Sequence, residues 1–303
     1  MKIIERLHRA HFDWRVRSIL RTPKVGPGRL DFTLLSMVQH KDVLPYLLAL
    51  KSISRFLDPA RVVVVADPTL HAADRALIRR HVPHIQFHEA AEFRRPGLPV
   101  GGCWERLSAI AQYSARSYVV QLDADTVAVT LPTDVRRAIS DQVSFTLGTE
   151  DNQAISSTAE AAALANSRLD GNDQIQALAE SVLDRLDPQQ QYRYVRGCAG
   201  FAGFARGSLN PAQLLVVSQK MAALLPGRWS AWGTEQFTSN LLVASSPGAR
   251  VLPHPRYCAP HRRTAETVFL HFIGYVRFAS SMYANTTAQV VSELRLASAN
   301  RGD

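Results

Sequence analysis

Tyr118-Val119-Val120-Gln121-Leu122-Asp123-Ala124-Asp125-Thr126 is an apolar run of strand length that ends in two carboxylates one residue apart. Side chains alternate between faces in an extended segment, so Asp123 and Asp125 are expected on one side, with Ala124 turned away. Two hard anionic oxygens would then point at one place. Magnesium and manganese are commonly held by one or two carboxylates plus the phosphates of a substrate, so the pair suits a nucleoside-diphosphate compound better than a closed metal cage. The plainer reading is a solvated turn after a buried strand, because Asp favours turns. Such a short motif needs structural context, and helical spacing over Trp104–Arg116 just before the strand begins to supply it.

Working outward, Arg61-Val62-Val63-Val64-Val65-Ala66 is β-branched throughout its centre, the pattern of a strand covered on both faces in a parallel sheet. Phe32–Val38 is another strand-length run, and Ile85–His88 a third. Between them Leu44–Phe56, with Pro45 early in the helix, and Ala72–Arg80 show helical spacing. Strand and helix thus alternate towards residue 117, which predicts a doubly wound, mostly parallel α/β sheet. Such sheets bind ligands beyond the carboxyl ends of their strands, where Asp123 and Asp125 fall. Asp67, at the end of Arg61–Ala66, is either a nucleoside contact or a cap for the helix that follows. Neither a Gly-x-Gly-x-x-Gly turn nor a Gly-x-x-x-x-Gly-Lys-Ser/Thr loop is present, which disfavours dinucleotide and P-loop sites, and without Gly-x-Ser-x-Gly a serine hydrolase has no support.

The chain has 303 residues, 46% of them hydrophobic, enough for one large α/β domain or one domain with a small annex. Cys103, Cys198 and Cys258 are far apart and lack metal-ligand spacing, which fits a reducing compartment and a cytoplasmic protein of bacterial type. No run has the length of a membrane span or the apolar core of a signal peptide. Of the net charge of +9, residues 1–29 carry +6, with eight basic residues against Glu5 and Asp13. In this arm Ile3, Ile4, Leu7, Ala10, His11 and Trp14 recur at helical spacing, so the segment reads as an amphipathic helix with a basic face. It fits equally a helix lying on an anionic membrane surface, through residues 1–25, and one packed on the protein's own body. Nucleic acid is disfavoured, because aromatics do not interleave with the basic residues.

The second half carries three further clusters. Pro132–Ser140 reads as a helix and Val143–Leu147 as a strand, with Gly148-Thr149-Glu150-Asp151 as a polar exit; residues 159–186 are Ala-rich and helical, interrupted at Asp170-Gly171-Asn172. In Gly197-Cys198-Ala199-Gly200-Phe201-Ala202-Gly203-Phe204, small residues would let backbone approach a ligand closely. Gly233-Thr234-Glu235-Gln236-Phe237 opens a helix to about Val243, with Asn240 one turn beyond Gln236. Thr267–Arg277 reads as a strand that delivers His271, Gly274 and Arg277 at its end. His271 is either a core histidine or a ligand for metal or phosphate. His81, His84 and His88 have ligand-like spacing, but Pro83 interrupts any helix that would align them.

With these clusters in place, the chain resembles GT-A-fold glycosyltransferases, most closely the retaining glycosyltransferase family 8, over about residues 31–280. Leu122-Asp123-Ala124-Asp125 is similar to the family's metal-binding Asp-x-Asp. His271-Phe-Ile-Gly274-Tyr-Val-Arg277 resembles its His-x-x-Gly-x-x-Lys, whose histidine is the third metal ligand and whose lysine meets the donor diphosphate; arginine here keeps the charge but presents a planar fork. Glu235-Gln236-Phe-Thr-Ser-Asn240 resembles its Asp-Gln-x-x-x-Asn, where the first two residues face the transferred sugar. Cys198-Ala199-Gly200 stands where the family has Asn-Ala-Gly, and Arg106 where it has a basic donor contact. Gln39-His40-Lys41-Asp42 departs from the Asp and Tyr that hold the uridine ring.

The resemblance implies a GT-A type α/β fold, Rossmann-like, with a mostly parallel sheet flanked by helices in a single large domain with a smaller acceptor-side subregion. Residues 1–29 would be the basic arm, 30–285 the transferase domain (30–130 nucleotide-binding, 131–285 acceptor and catalytic) and 286–303 a C-terminal helix or tail. It implies Mn2+ or Mg2+ on Asp123, Asp125 and His271, with Arg106, Asp67, Asp123, Asn240, Gly274 and Arg277 toward the donor. Glu235, Gln236 and Glu150 or Asp151 would serve the sugar. The implied reaction moves a hexose from a nucleoside-diphosphate sugar, a UDP-sugar by the resemblance, to a glycan or lipid-linked hydroxyl. Under retention the leaving phosphate oxygen can take the acceptor proton; under inversion Glu150, Asp151 or Glu235 must act as base. The alternatives are a sugar-nucleotide nucleotidyltransferase, which would need a Gly-rich basic loop that Phe32–Asp42 lacks, and an inactive binding protein of the same fold.

Overall fold

The computed structural model describes residues 2–274 and 276–299; Tyr275, within the expected His271–Arg277 segment, and residues 300–303 of the expected tail lie outside them. In chain order the elements are α1 (Lys2–Val16), β1 (Leu30–Val38), α2 (Val43–Leu57), β2 (Pro59–Ala66), α3 (Ala72–His81), β3 (Gln86–Glu89), α4 (Trp104–Ser114), β4 (Tyr118–Leu122), β5 (Thr126–Ala128) and α5 (Thr133–Ser140). There follow β6 (Phe145–Leu147), β7 (Ser156–Ser157), α6 (Thr158–Ser167), α7 (Ile175–Ser181), β8 (Arg193–Tyr194), β9 (Cys198–Phe204), α8 (Pro211–Leu224), α9 (Thr234–Ala244), β10 (Arg250–Leu252), β11 (Tyr257–Cys258), β12 (Phe269–His271) and α10 (Met282–Ala299). The chain forms two compact units, each discontinuous in sequence: residues 1–88, 122–136 and 254–303 make the first, 89–121 and 137–253 the second.

In the first unit β1 and β2 pair in parallel, with Leu34 opposite Val62 and Val38 opposite Ala66, and β3 follows on the far side of β2. The α2 crossover between β1 and β2 buries Tyr46, Leu47, Leu50, Ile53 and Leu57, the helical stripe that the sequence shows. Val62, Val63, Val64 and Val65 are all fully buried, as expected for a strand covered on both faces. A second, small sheet has the order β11-β12-β5, with β11 parallel and β5 antiparallel to β12. The α1 helix turns Phe12 and Val16 inward against α10, where the Phe12 ring stacks on Tyr283 with centroids 3.8 Å apart.

The second unit holds strands in the order β10-β6-β9-β4, with β10 parallel and β9 antiparallel to β6. Its small-residue strand packs on the protein itself. A Cβ on Gly203 would lie 2.2 Å from the Phe145 ring, and one on Gly197 would lie 2.2 Å from Thr146 Oγ1. These two glycines answer close internal packing rather than the ligand approach expected of this run. The Ala-rich stretch forms α6 and α7 as two helices, broken where Asp170 and Gly171 take positive φ. The expected strand over Thr267–Arg277 is shorter than its pattern: β12 ends at His271, where the backbone folds back and Ile273 N donates to His271 O at 2.9 Å.

Lys51 is buried in the first unit, and its ammonium donates to Thr22 Oγ1 (2.8 Å), Pro23 O (2.7 Å) and His81 Nδ1 (3.1 Å). This bond gives His81 a structural partner in place of the metal its spacing with His84 and His88 suggests. Burial, then the charges of Lys51, Arg80 and Lys24, lower the His81 pKa to about 4. The unfolded chain binds this proton near pH 6.5 and the folded one resists it, so stability falls as pH drops through the window from about 6.5 to 4. Replacing the titrating ring should flatten that decline: thermal melts of His81→Gln are expected to lose several degrees less than wild type between pH 7 and pH 4.5.

Candidate active site

The β4 strand ends at Leu122, whose carbonyl accepts from Ser36 Oγ at 2.7 Å. Asp123, Ala124 and Asp125 then form a turn into β5, closed by Thr126 Oγ1 donating to Asp123 O at 2.8 Å. The two carboxylates therefore leave a turn rather than alternate positions of a strand, and the register of the small sheet supplies their third neighbour. Antiparallel pairing sets His271 opposite Thr126 and Leu270 opposite Val127, while Phe272 N donates to Asp125 O at 2.8 Å. Ligand atoms of Asp123, Asp125 and His271 all lie within 4.8 Å of one another. His271 Nε2 sits 3.2 Å from Asp125 Oδ1, and both side chains are buried.

Two carboxylates and an imidazole are a donor set that manganese or magnesium accepts, and the clustering fits a single ion. In the structure the positive charge beside Asp125 comes from the protein itself. The Arg277 guanidinium pairs with Asp125 Oδ2 and donates through Nε to Phe272 O at 3.1 Å. Burial alone would raise the Asp125 pKa, but His271 and Arg277 outweigh it and hold the carboxyl down to about 2. Asp42, just past β1, senses the same charges: burial pushes its carboxyl up, against the opposing pull of Arg277 and Lys41. Sequence reading passed over Asp42 as part of a poorly matching segment, although an acidic residue just beyond a parallel strand was the available signal. Beneath the turn, Tyr283 stacks between Phe272 (4.0 Å) and Phe12 (3.8 Å), and its hydroxyl reaches to 3.5 Å from Ala124 O.

Other expected site residues take more varied places. In the second unit Arg106 and Glu235 meet each other as a buried ion pair, with Arg106 Nη2 3.2 and 3.3 Å from the two Glu235 oxygens. Gly233, which opens α9 beside them, has φ of 107°, a conformation that glycine tolerates best. Gln236 accepts from Ala199 N at 3.2 Å and donates to Gln176 at 2.9 Å. Asn240 donates to Gly197 O at 2.9 Å. Glu150 and Asp151 lie on an exposed turn that lines a cavity of about 340 Å³.

In the first unit Asp67 accepts from Thr69 N at 2.9 Å and Thr69 Oγ1 at 2.6 Å, a local turn; the helix it was expected to cap has His71 as its N-cap instead. At Gly274 an added Cβ would meet nothing within 4 Å among the described residues, so packing does not demand this glycine. His40, His71 and Asp74 make another group with ligand-like spacing, which the sequence did not single out; there Asp74 Oδ2 already accepts from His71 N (2.9 Å) and is bonded to His40 Nδ1 (2.8 Å).

No family model and no curated protein matches the chain. Among solved structures, it is similar to the bifunctional glycosyltransferase WbbM in its apo form, with a TM-score of 0.50 and 11% identity over 88% of this chain and 52% of that one. Mouse xyloside xylosyltransferase 1 in its apo form gives 0.46 and 15% over 80% of this chain and 97% of its own. The galactosyltransferase LgtC, in complex with donor and acceptor sugar analogues, gives 0.46 and 12% over 86% and 95%. At these identities the likeness speaks for the fold, and the fold is of the GT-A glycosyltransferase type.

The Arg106–Glu235 pair is buried, and removing one partner of a buried ion pair costs about 3–5 kcal/mol. In urea denaturation, Arg106→Met should lose stability on that scale, and adding Glu235→Gln should restore a substantial part of it.

Proposed function

We propose that the chain is a metal-dependent glycosyltransferase that moves a hexose from a nucleoside-diphosphate sugar, with a UDP-sugar as the donor, to a hydroxyl of a glycan or lipid-linked acceptor with retention at the anomeric carbon. The observation that carries this reading is the convergence of Asp123, Asp125 and His271 at the carboxyl end of β4, in a chain with the GT-A type of fold. These three side chains would hold Mn2+ or Mg2+. The cation would supply Lewis acidity toward the departing diphosphate.

The remaining chemistry falls to the protein's own groups. Arg277 carries the one formal charge in this segment that can exchange a carboxylate for phosphate oxygens, and its fork suits either in two-point contact. The open space at Gly274 lets backbone approach a bulky anion without steric cost. Glu235 and Gln236 take the sugar-facing roles that the resemblance assigns, with Arg106 paired to the Glu235 carboxylate; Arg106 is thus a positioning residue in this proposal. Asn240 holds the backbone at Gly197. Under retention the leaving phosphate oxygen receives the acceptor proton, so Glu150 and Asp151 need only bind. Asp67 is assigned to the nucleoside.

A panel of nucleoside-diphosphate sugars with manganese tests the reading by release of the free diphosphate. At least one donor should be turned over slowly without acceptor. Asp125→Asn and His271→Ala should each reduce that release at least about a hundredfold, the scale of losing one main electrostatic contact to a leaving group. Release that withstands both substitutions and metal chelation would refute the assignment, and pyrophosphate formation from a nucleoside triphosphate and a sugar phosphate would favour the nucleotidyltransferase alternative.

A further inference from the structure

The α1 helix has two apolar faces, and the first unit uses one of them. Phe12 and Val16 are 2% exposed against α10 and its surroundings. Ile3, Leu7 and Trp14, spaced four and seven residues apart, fall along a different stripe of the helix. They are 73%, 63% and 63% exposed, and Ile4 beside them is 56% exposed. Isolated exposed apolar residues are ordinary, but a continuous stripe of large ones on a single helix marks a surface that meets something.

Next to the stripe lies a cavity of about 590 Å³ formed by α1, the turn that follows it, and α10. Arg15, Arg17, Arg21 and Arg295 line it together with Trp14 and Leu296, and no carboxylate is among its lining residues. Arg15 stacks over the Trp14 ring at 4.6 Å, so a cation and an aromatic surface are presented together. Arg295 reaches Ser18 O at 3.4 Å, bridging the two walls. Leu296, on the other wall, is 63% exposed and continues the apolar surface beyond the helix.

We propose that this face docks the protein on an anionic lipid bilayer, with Ile3, Leu7 and Trp14 entering the interface and the arginine-lined cavity receiving lipid phosphate groups. Charge complementarity selects this occupant. An apolar stripe beside a cluster of guanidiniums matches acyl chains beside phosphates at the depth where amphipathic helices lie. A second copy of the chain would set guanidiniums against guanidiniums, which disfavours self-association through the same face. A nucleic acid would satisfy the arginines and leave the aliphatic side chains in water. The α1 helix has 15 residues and no helix among the described residues is long and apolar enough to cross a membrane, so α1 would lie on the surface rather than span it. The inference does not depend on which donor or acceptor the enzyme uses.

The test is co-sedimentation of the full chain with vesicles of phosphatidylcholine alone and of phosphatidylcholine with about one third phosphatidylglycerol, where each basic residue at the surface contributes roughly a fivefold factor in partitioning. Binding is expected to the anionic vesicles only, weakening as salt is raised. Arg17→Glu/Arg21→Glu should weaken it at least about thirtyfold. Ile3→Ser/Leu7→Ser should weaken it while leaving the melting temperature unchanged, because these side chains are exposed in the fold. Equal binding to both vesicle types, or to neither, would overturn the proposal. So would a concentration-dependent dimer in sedimentation velocity that Ile3→Ser/Leu7→Ser disperses.

Discussion

The antiparallel register between β5 and β12 is the constraint on which the candidate site depends. His271 comes from a segment 146 residues beyond Asp125, yet pairing opposite Thr126 brings its ring to 3.2 Å from the Asp125 carboxylate. Neither strand is long: each contributes three residues. The pairing is held by buried neighbours, Val127, Ala128, Phe269 and Leu270, all fully buried. A one-residue slip in such a pair would send His271 to the opposite face and dissolve the cluster. Hydrophobic burial in the small sheet therefore fixes the geometry of a polar site.

The charges at that cluster are balanced inside the protein. Asp125 is buried and ionised because His271 and Arg277 compensate it, and the aromatic stack of Phe12, Tyr283 and Phe272 supports the turn from the other side. A buried carboxylate with a cationic partner is held ready for a divalent ion, since exchanging one positive neighbour for another costs less than desolvating a bare charge. The same stack joins the inner face of α1 to the Asp123–Asp125 turn. Its outer face bears the exposed stripe, so the surface proposed to meet lipid and the proposed metal ligands share one packed unit.

Much of the fold was legible because its signals are local. The valine run of β2, the helical stripe of α2 and the apolar run of β4 each state their structure within about ten residues, and the observed elements match them closely. Geometry that arises from tertiary pairing was less legible. The carboxylates sit on a turn, since Ala124 and Asp125 leave the strand that alternation alone would continue. Gly203 in β9 and Gly197 just before it answer the Phe145 ring and Thr146, neighbours from another strand. The Arg106–Glu235 pair joins residues 129 apart, a contact that neither local pattern encodes. For the arm of residues 1–29 the sequence offered packing and membrane contact as alternatives, whereas the structure gives α1 a buried face and a separate exposed one.

The central claim is that Asp123, Asp125 and His271 bind one divalent cation, and electron paramagnetic resonance of Mn2+ in the presence of a nucleoside diphosphate addresses it directly. Titration of the wild-type chain should show one bound Mn2+ per chain, and His271→Ala should abolish that binding while its circular dichroism shows a folded chain at the temperature of the titration. Undiminished Mn2+ binding by a folded His271→Ala chain would contradict the claim.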